Sequence, residues 1–367
     1  MSRKIGNAQA TMLVVNSILP TAIIVLPIII GTYLEQDSPW AVVFSCGVGL
    51  LIAALIGTIV RNNHGAPFLE WVGKISSPIV ATIVGLFLLQ YYLDATASVL
   101  REFINFLKDN VLFETPVPVL VAVALLVVVY MAYRGIDVIA KVNSLIFFLY
   151  VIVVPFYMFG LKDYLDVHHL LPAFEHPFNL VVMSSLTPIG WLSEVSILLF
   201  LAPYLKNPEK ARRIGSTGLI LVSLLMLLNV VTTLMVFGPD YIEASSYPGF
   251  DAISVVHVGT FLENLDILFI SYWILSVYLK LGIFLFGTFE CFKQTFRVTE
   301  KGPYLIALMM VVCAECMHTW RDPTKLNMFN AEGRFPVFML LNVFVPLSLY
   351  WYSLINKPKS KRKESPS

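Results

Sequence analysis

Apolar residues in this chain fall in long runs separated by short polar segments, not in the two-residue alternation of half-buried strands. Crossing a hydrocarbon core of about 30 Å takes about 20 apolar residues in a helix. Ten runs meet or approach that length: Ala10 to Tyr33, Trp40 to Val60, Pro78 to Leu100, Val117 to Tyr133, Val142 to Leu161, Phe178 to Leu205, Ser216 to Phe237, Leu265 to Phe292, Tyr304 to Thr319 and Phe335 to Ile355. The fourth and ninth are short. A helix satisfies its own backbone in lipid, and no segment carries the alternation of a barrel. The pattern therefore predicts an all-α membrane protein of about ten transmembrane helices. Residues 1–356 are expected to form a single polytopic domain, followed by a basic tail over 357–367.

Composition agrees: of 367 residues, 57% are hydrophobic and 13% charged, with a mean hydropathy of +0.78. That balance excludes a soluble domain. The net charge of +1 leaves no footprint for nucleic acid, so the charges are informative only loop by loop. Ten spans put both termini on one side. That side carries eighteen lysines and arginines against six on the other, with Lys280 inside a span, so both termini and the tail are expected in the cytoplasm. The first run is too long for a signal-peptide core and reads as a span. The tail Lys357 to Lys363 reads either as a headgroup-binding cluster or as a plain stop-transfer flank.

Proline and glycine interrupt two of the runs. The first span carries Pro20, Pro27 and Gly31; the sixth carries Pro188, Gly190 and Pro203. These are the leading helices of two halves of five, so the positions predict a 5+5 inverted repeat with broken first and sixth helices and a site near mid-membrane. Each proline frees the carbonyl four residues back, and the exposed helix ends suit a carboxylate on one side and an ammonium on the other. A zwitterionic amino acid satisfies both. Candidate ligand-binding residues are Asn16, Ser17 and Thr21 around the first break, and Ser184, Thr187, Gly190 and Trp191 around the second. The plain alternative is a pair of packed proline kinks.

Charges inside spans cost roughly 2.5 to 3.5 kcal/mol each on insertion scales and need a partner or a purpose. Glu194, one turn beyond the second break, joins the candidate ligand site. Asp94 and Lys280 are read as a charge relay or as ion-pair partners, Lys280 pairing with Glu194 or Asp94. Gly49, Ala53 and Gly57 form a flat ridge on the second span that admits a neighbouring helix. His168, His169 and His176 are expected to be solvated loop residues, and the stretch Ile253 to Leu262 a lid over one mouth. No nucleophile–base pair or HExxH motif lies in a span, so no enzyme, metal or cofactor is expected.

Several segments together resemble one family. They are Ile18-Leu-Pro-Thr-Ala22 through Leu26-Pro27, Thr115-Pro116, Arg134-Gly-Ile-Asp-Val-Ile-Ala-Lys-Val-Asn143, Leu170-Leu-Pro-Ala-Phe-Glu175, Glu194 followed by Pro203-Tyr-Leu-Lys-Asn-Pro208, and Leu265-Asp266 followed by Trp273. In order and spacing over essentially the whole chain they resemble the B subunits of spore germinant receptors, a branch of the amino acid/polyamine/organocation permease superfamily. The resemblance implies the amino acid permease type of fold and a subunit that senses a small germinant, typically an amino acid. It also implies an A-type membrane subunit and a C-type lipoprotein as partners in the inner membrane of the spore. Where that family usually has Gly close before the span-six glutamate, this chain has Ser193, with Gly190 four residues back and bulky Trp191 between. A proton- or sodium-coupled amino acid transporter would use the same pocket and is the alternative.

Overall fold

The computed structural model describes residues 4–255, 265–318 and 335–355; the basic tail and most of the expected lid lie outside them. Ten spans follow in chain order. The first two are α1 (Asn7–Leu34) and α2 (Ser38–Asn62), joined only by the 3-10 turn Glu35–Asp37. A short helix, α3 (Phe68–Ile75), precedes α4 (Pro78–Asn110), α5 (Val117–Arg134) and α6 (Ile136–Leu161). The sixth span is built of pieces: α7 (Phe178–Ser184), α8 (Leu186–Leu192), the 3-10 segment Ser193–Ile197, α9 (Leu198–Leu201) and the 3-10 turn Ala202–Tyr204. Next come α10 (Ala211–Ala244), the short α11 (Pro248–Ser254), α12 (Leu265–Phe296) and α13 (Gly302–His318). The tenth span runs through Phe335–Met339, a π-helical turn Leu340–Phe344, and Val345–Ile355. Among the described residues eight stretches are long and apolar enough to cross a membrane, the first, Asn7–Asn62, taking in both α1 and α2, while α13, with 17 residues, falls just below the usual length.

Position in the bundle follows from hydrophobicity around each helix. In a membrane a helix apolar on every side can face lipid, whereas one that carries polar side chains, as α1 does at Asn16, Ser17 and Thr21, needs protein around it. The apolar windows of Asn7–Asn62 and of the sixth span are each 94% buried, against 17% for α6, so these segments form the centre and α6 faces outward. α1 packs on α2, α6, α10, α12 and the sixth span. By contrast α3 is amphipathic: Phe68, Leu69 and Val72 are buried while Glu70 and Lys74 pair at 2.6 Å in water.

The small-residue ridge works as expected. A methyl group on Gly57 would stand 2.2 Å from the Arg212 Cα of α10, and one on Gly49 would stand 3.0 Å from Leu192, so α2 lies against α10 and the sixth span at close range.

Two expectations are corrected. The first span is not broken: α1 is one continuous helix with Pro20 and Pro27 inside it, whereas the sixth span is fragmented. A proline removes a single backbone bond, which a helix enclosed by protein can lose without unwinding. The third span also extends ten residues past the expected end, to Asn110, and encloses Arg101 at 5% exposure; burial against α12 and α13, not hydropathy, sustains that stretch. The N-terminus is tied to the end of the sixth span, where the Ile5 amide donates to the Tyr204 carbonyl (2.9 Å) and the Lys206 amide donates to that of Ile5 (2.9 Å).

Candidate functional site

Lys280 is the organising residue. It lies on α12 with no exposed surface, and its ammonium donates to Thr21 Oγ1 of α1 at 2.8 Å and to Glu194 Oε2 of the sixth span at 3.0 Å. Its charge also stands 5.0 Å above the Phe284 ring, one turn on. Of the two ion pairs weighed from sequence, the one formed is Lys280 with Glu194. A carboxylate and an ammonium this deep in a bundle are tolerable only as partners, and here each neutralises the other.

One face of α12 makes three polar contacts to α1. Trp273, Ser276 and Lys280 recur at helical spacing. Trp273 Nε1 donates to the Pro20 carbonyl at 2.7 Å, and Asn16 Nδ2 donates to the Ser276 carbonyl at 3.1 Å. Lys280 makes the third contact, to Thr21. Ser17 Oγ and Thr21 Oγ1 turn back on their own helix, to the carbonyls of Val14 (2.8 Å) and Ile18 (3.3 Å). The Pro20 carbonyl and the Asn16 and Thr21 side chains on either side of it are thus tied to α12.

The sixth span is interrupted at Ser185, between α7 and α8. The Ser185 hydroxyl is shared between the Val181 carbonyl (2.6 Å) and the Ala41 carbonyl of α2 (3.1 Å). Ser184, Thr187, Gly190 and Trp191 are all buried near it. Gly190 offers its carbonyl to Ser193 Oγ at 2.5 Å, one residue before Glu194. Thus the structure gathers Thr21, Glu194 and Lys280 into direct contact and places Asn16 against α12, while Ser184 and Trp191 sit in the α7–α8 wall. Asp94 lies half-buried on α4, one turn after Gln90, which donates to Glu315 of α13 at 3.3 Å.

A second buried network adjoins the ion pair and was not foreseen. Asn342, in the π-helical turn of the tenth span, accepts from Ser196 Oγ (2.7 Å) and donates to Tyr91 OH of α4 (2.8 Å) and to Ser193 Oγ (3.1 Å). It brackets Glu194 with the serines on either side. The extra residue of a π turn re-aims a side chain out of helical register, and such turns concentrate where a helix does specific work. Asn342 is the one side-chain amide in the run Phe335 to Ile355, and that was the available signal.

Thr21 also borders a cavity of about 20 Å³, room for one water-sized group, between α1, α4 and α12. Its walls include Phe103, Phe106, Trp273, Glu102 and Asn105, and the Asn105 Nδ2 is buried with no hydrogen-bond partner among the described residues. Tyr247, before α11, closes it and donates to Asp109 at 3.1 Å.

On the side away from the termini, the segment before α7 is clamped to the turn between α1 and α2. Asp37 accepts from the amides of Phe174 (2.7 Å) and His176 (2.9 Å) and from His176 Nδ1 (3.1 Å), while Trp40 stacks on Phe174. Burial alone would raise the Asp37 carboxyl, but those donors outweigh it and hold it below its ordinary value of 3.8. His169 is likewise engaged, with the Met235 carbonyl at 3.0 Å. Two of the three loop histidines are therefore hydrogen-bonded to the fold and only partly exposed.

A ten-span helical bundle with its polar contacts gathered at an irregular central helix is a solute-transporter architecture. The chain matches the solved structure of Mhp1, a nucleobase-cation-symport-1 family transporter in a closed conformation with bromovinylhydantoin bound, at a TM-score of 0.57 and 16% identity, over 94% of this chain and 79% of that one. The likeness establishes the permease fold. Within that class the chain belongs to the spore germination protein family, the spore permeases, whose profile matches residues 4–322. It is similar to spore germination protein KB of Bacillus subtilis (strain 168), 22% identical over 311 residues, which are 84% of this chain and 82% of that protein. It is also similar to spore germination protein XB of Bacillus anthracis, 24% identical over 303 residues, 80% of this chain and 83% of the relative. A germination permease of this kind is a membrane protein without enzymatic chemistry of its own.

Proposed function

We propose that this chain is a nutrient-sensing subunit of a germinant receptor and that it recognises a small solute, an amino acid, where α1 meets the irregular sixth span. The observation carrying this reading is the Lys280 ammonium shared between Thr21 and Glu194, which joins three separate helices through charge-dependent contacts. A zwitterion would compete for that ammonium with its carboxylate and for Glu194 with its own ammonium, and the adjoining cavity, sized for one water, would have to widen to admit it. Sensing is then an exchange of internal for external ion pairs, with α1 and the sixth span free to separate. Asn16, Ser17, Ser184, Thr187, Gly190 and Trp191 shape the surrounding wall. The positive-inside bias supports a cytoplasmic location for both termini. The family supports residence in the inner spore membrane beside an A-type membrane subunit and a C-type lipoprotein.

The test is a thermal-shift and binding screen of the purified chain against amino acids, repeated with Thr21→Val and Glu194→Gln. A stabilising amino acid whose effect disappears in both variants is expected; unchanged binding in both would remove the site. Proteoliposomes loaded with a proton or sodium gradient separate sensing from coupled transport, since only a transporter accumulates labelled amino acid.

A further inference from the structure

On the side of the termini, a separate cavity of about 540 Å³ opens between the end of α5, the start of α6 and the end of α12. Its charged walls are Arg134, Lys293 and Lys301 on one hand and Asp137 and Glu290 on the other. Both carboxylates are already engaged. Glu290 accepts from Tyr204 OH at 2.6 Å and from Lys293 at 3.2 Å, and Asp137 stands 3.9 Å from Lys141. Arg134 and Lys301 have no carboxylate within ion-pair distance among the described residues. Arg134 donates to Tyr130 OH at 3.1 Å, and Lys301 donates to the Tyr133 carbonyl at 2.8 Å, so each is held by a neutral acceptor with its charge unmatched.

Lys301 is half-buried, and burial pushes its ammonium below the ordinary lysine range, an effect Lys293 reinforces while Glu290 and Asp137 oppose it. The α6 N-terminus, with Gly135 before it at φ 94°, contributes a positive end to the same cavity. Depth is marked independently. Tyr130 and Tyr133 are exposed at 59% and 56% on the flank of the opening, the amphipathic tyrosines expected at headgroup level.

We propose that this cavity binds a phosphate-bearing anion, supplied by the headgroup of an anionic membrane lipid, with Arg134 and Lys301 as the binding cations. Two unmatched cations, a helix N-terminus and a tyrosine flank at one depth fit a phosphodiester whose acyl chains stay in the bilayer. The site is independent of the solute site proposed above. It touches that site's framework at one point, because Glu290 on its wall holds Tyr204 at the end of the sixth span.

The experiment places the full-length protein in detergent with added phosphatidylglycerol, phosphatidylcholine or inorganic phosphate, reading retained lipid by native mass spectrometry and the unfolding midpoint. Phosphatidylglycerol is expected to remain bound and raise the midpoint, and phosphatidylcholine to do neither. Arg134→Gln and Lys301→Met should each weaken phosphatidylglycerol binding about fivefold, the factor that ~1 kcal/mol per headgroup contact represents. Lys301→Arg should restore it. Changing the tail residues Lys359, Lys361 and Lys363 to Gln should leave that bound lipid in place. Equal retention of both lipids, or full phosphatidylglycerol binding by the Arg134→Gln/Lys301→Met protein, overturns the proposal. If inorganic phosphate alone gives the whole shift and the lipid adds nothing, the lipid source is overturned.

Discussion

Replacing Lys280 with Met keeps the length of the side chain and removes its charge, leaving the Glu194 carboxylate at 4% exposure with no ammonium beside it. The variant escapes an isolated buried charge by taking up a proton on Glu194. Against an ordinary glutamate value near 4.3, that uptake costs about 1.36 kcal/mol per pH unit, hence about 3.7 kcal/mol at pH 7 and about 1 kcal/mol at pH 5. The pH 7 figure falls inside the ~3–5 kcal/mol found for breaking buried pairs by removing one partner. Lys280→Met should therefore be strongly destabilised at pH 7 and much less so at pH 5. Adding Glu194→Gln should recover most of the loss, with a coupling energy of about 2–3 kcal/mol. Unfolding the four proteins of this cycle in micelles at both pH values measures each quantity. A Lys280→Met protein as stable as the parent at pH 7, or a cycle that is simply additive, would refute the account of the site as a mutually neutralised pair.

Gly57→Ala would place its methyl 2.2 Å from the Arg212 backbone and should cost about 1–3 kcal/mol in thermal unfolding, whereas Gly47→Ala, with nothing within 4 Å on the same helix, should be neutral or stabilising. Asn342→Leu leaves Tyr91, Ser193 and Ser196 short of a partner and should lose about 1–3 kcal/mol while also weakening any solute response. The Asp37 clamp is set by a depressed carboxyl, so its contribution is complete above pH 3.8 and declines as pH falls through the lower folded value. Hydrogen exchange of the Phe174 and His176 amides should stay slow from pH 7 to about 5 after correction for intrinsic rates, and Asp37→Asn should release it even at pH 7.

The spans were readable because lipid enforces one rule, an internally satisfied backbone within an apolar stretch, and that rule writes itself into runs of Leu, Val, Ile and Phe. Irregularity in the sixth span was signalled by Pro188, although the helix breaks at Ser185, before it, and winds as 3-10 after it. Pro20 misled, because whether a proline breaks a buried helix depends on the packing around it. Trp273 and Lys280 lie more than 250 positions away from it in the chain. The pairing of Glu194 with Lys280 followed from the cost of intramembrane charge, although choosing it over Asp94 required the fold. Asn342 escaped notice because a lone amide in an apolar run has no periodicity. Its importance comes from a π turn that aims it at two serines of another span.

The sixth span holds Ser193–Ile197 in a 3-10 winding between α-helical pieces. That winding rises about 0.5 Å more per residue than an α-helix and turns about 20° more. Rewinding five residues as α-helix would shorten the rod by roughly 2.5 Å and rotate its far end by about 100°. Glu194 lies inside the winding, and Tyr204, beyond its far end, is bonded to Glu290 and to the Ile5 backbone. On the function proposed above, a solute that parts Glu194 from Lys280 would act on this winding, and its rewinding would be read as a twist at Tyr204.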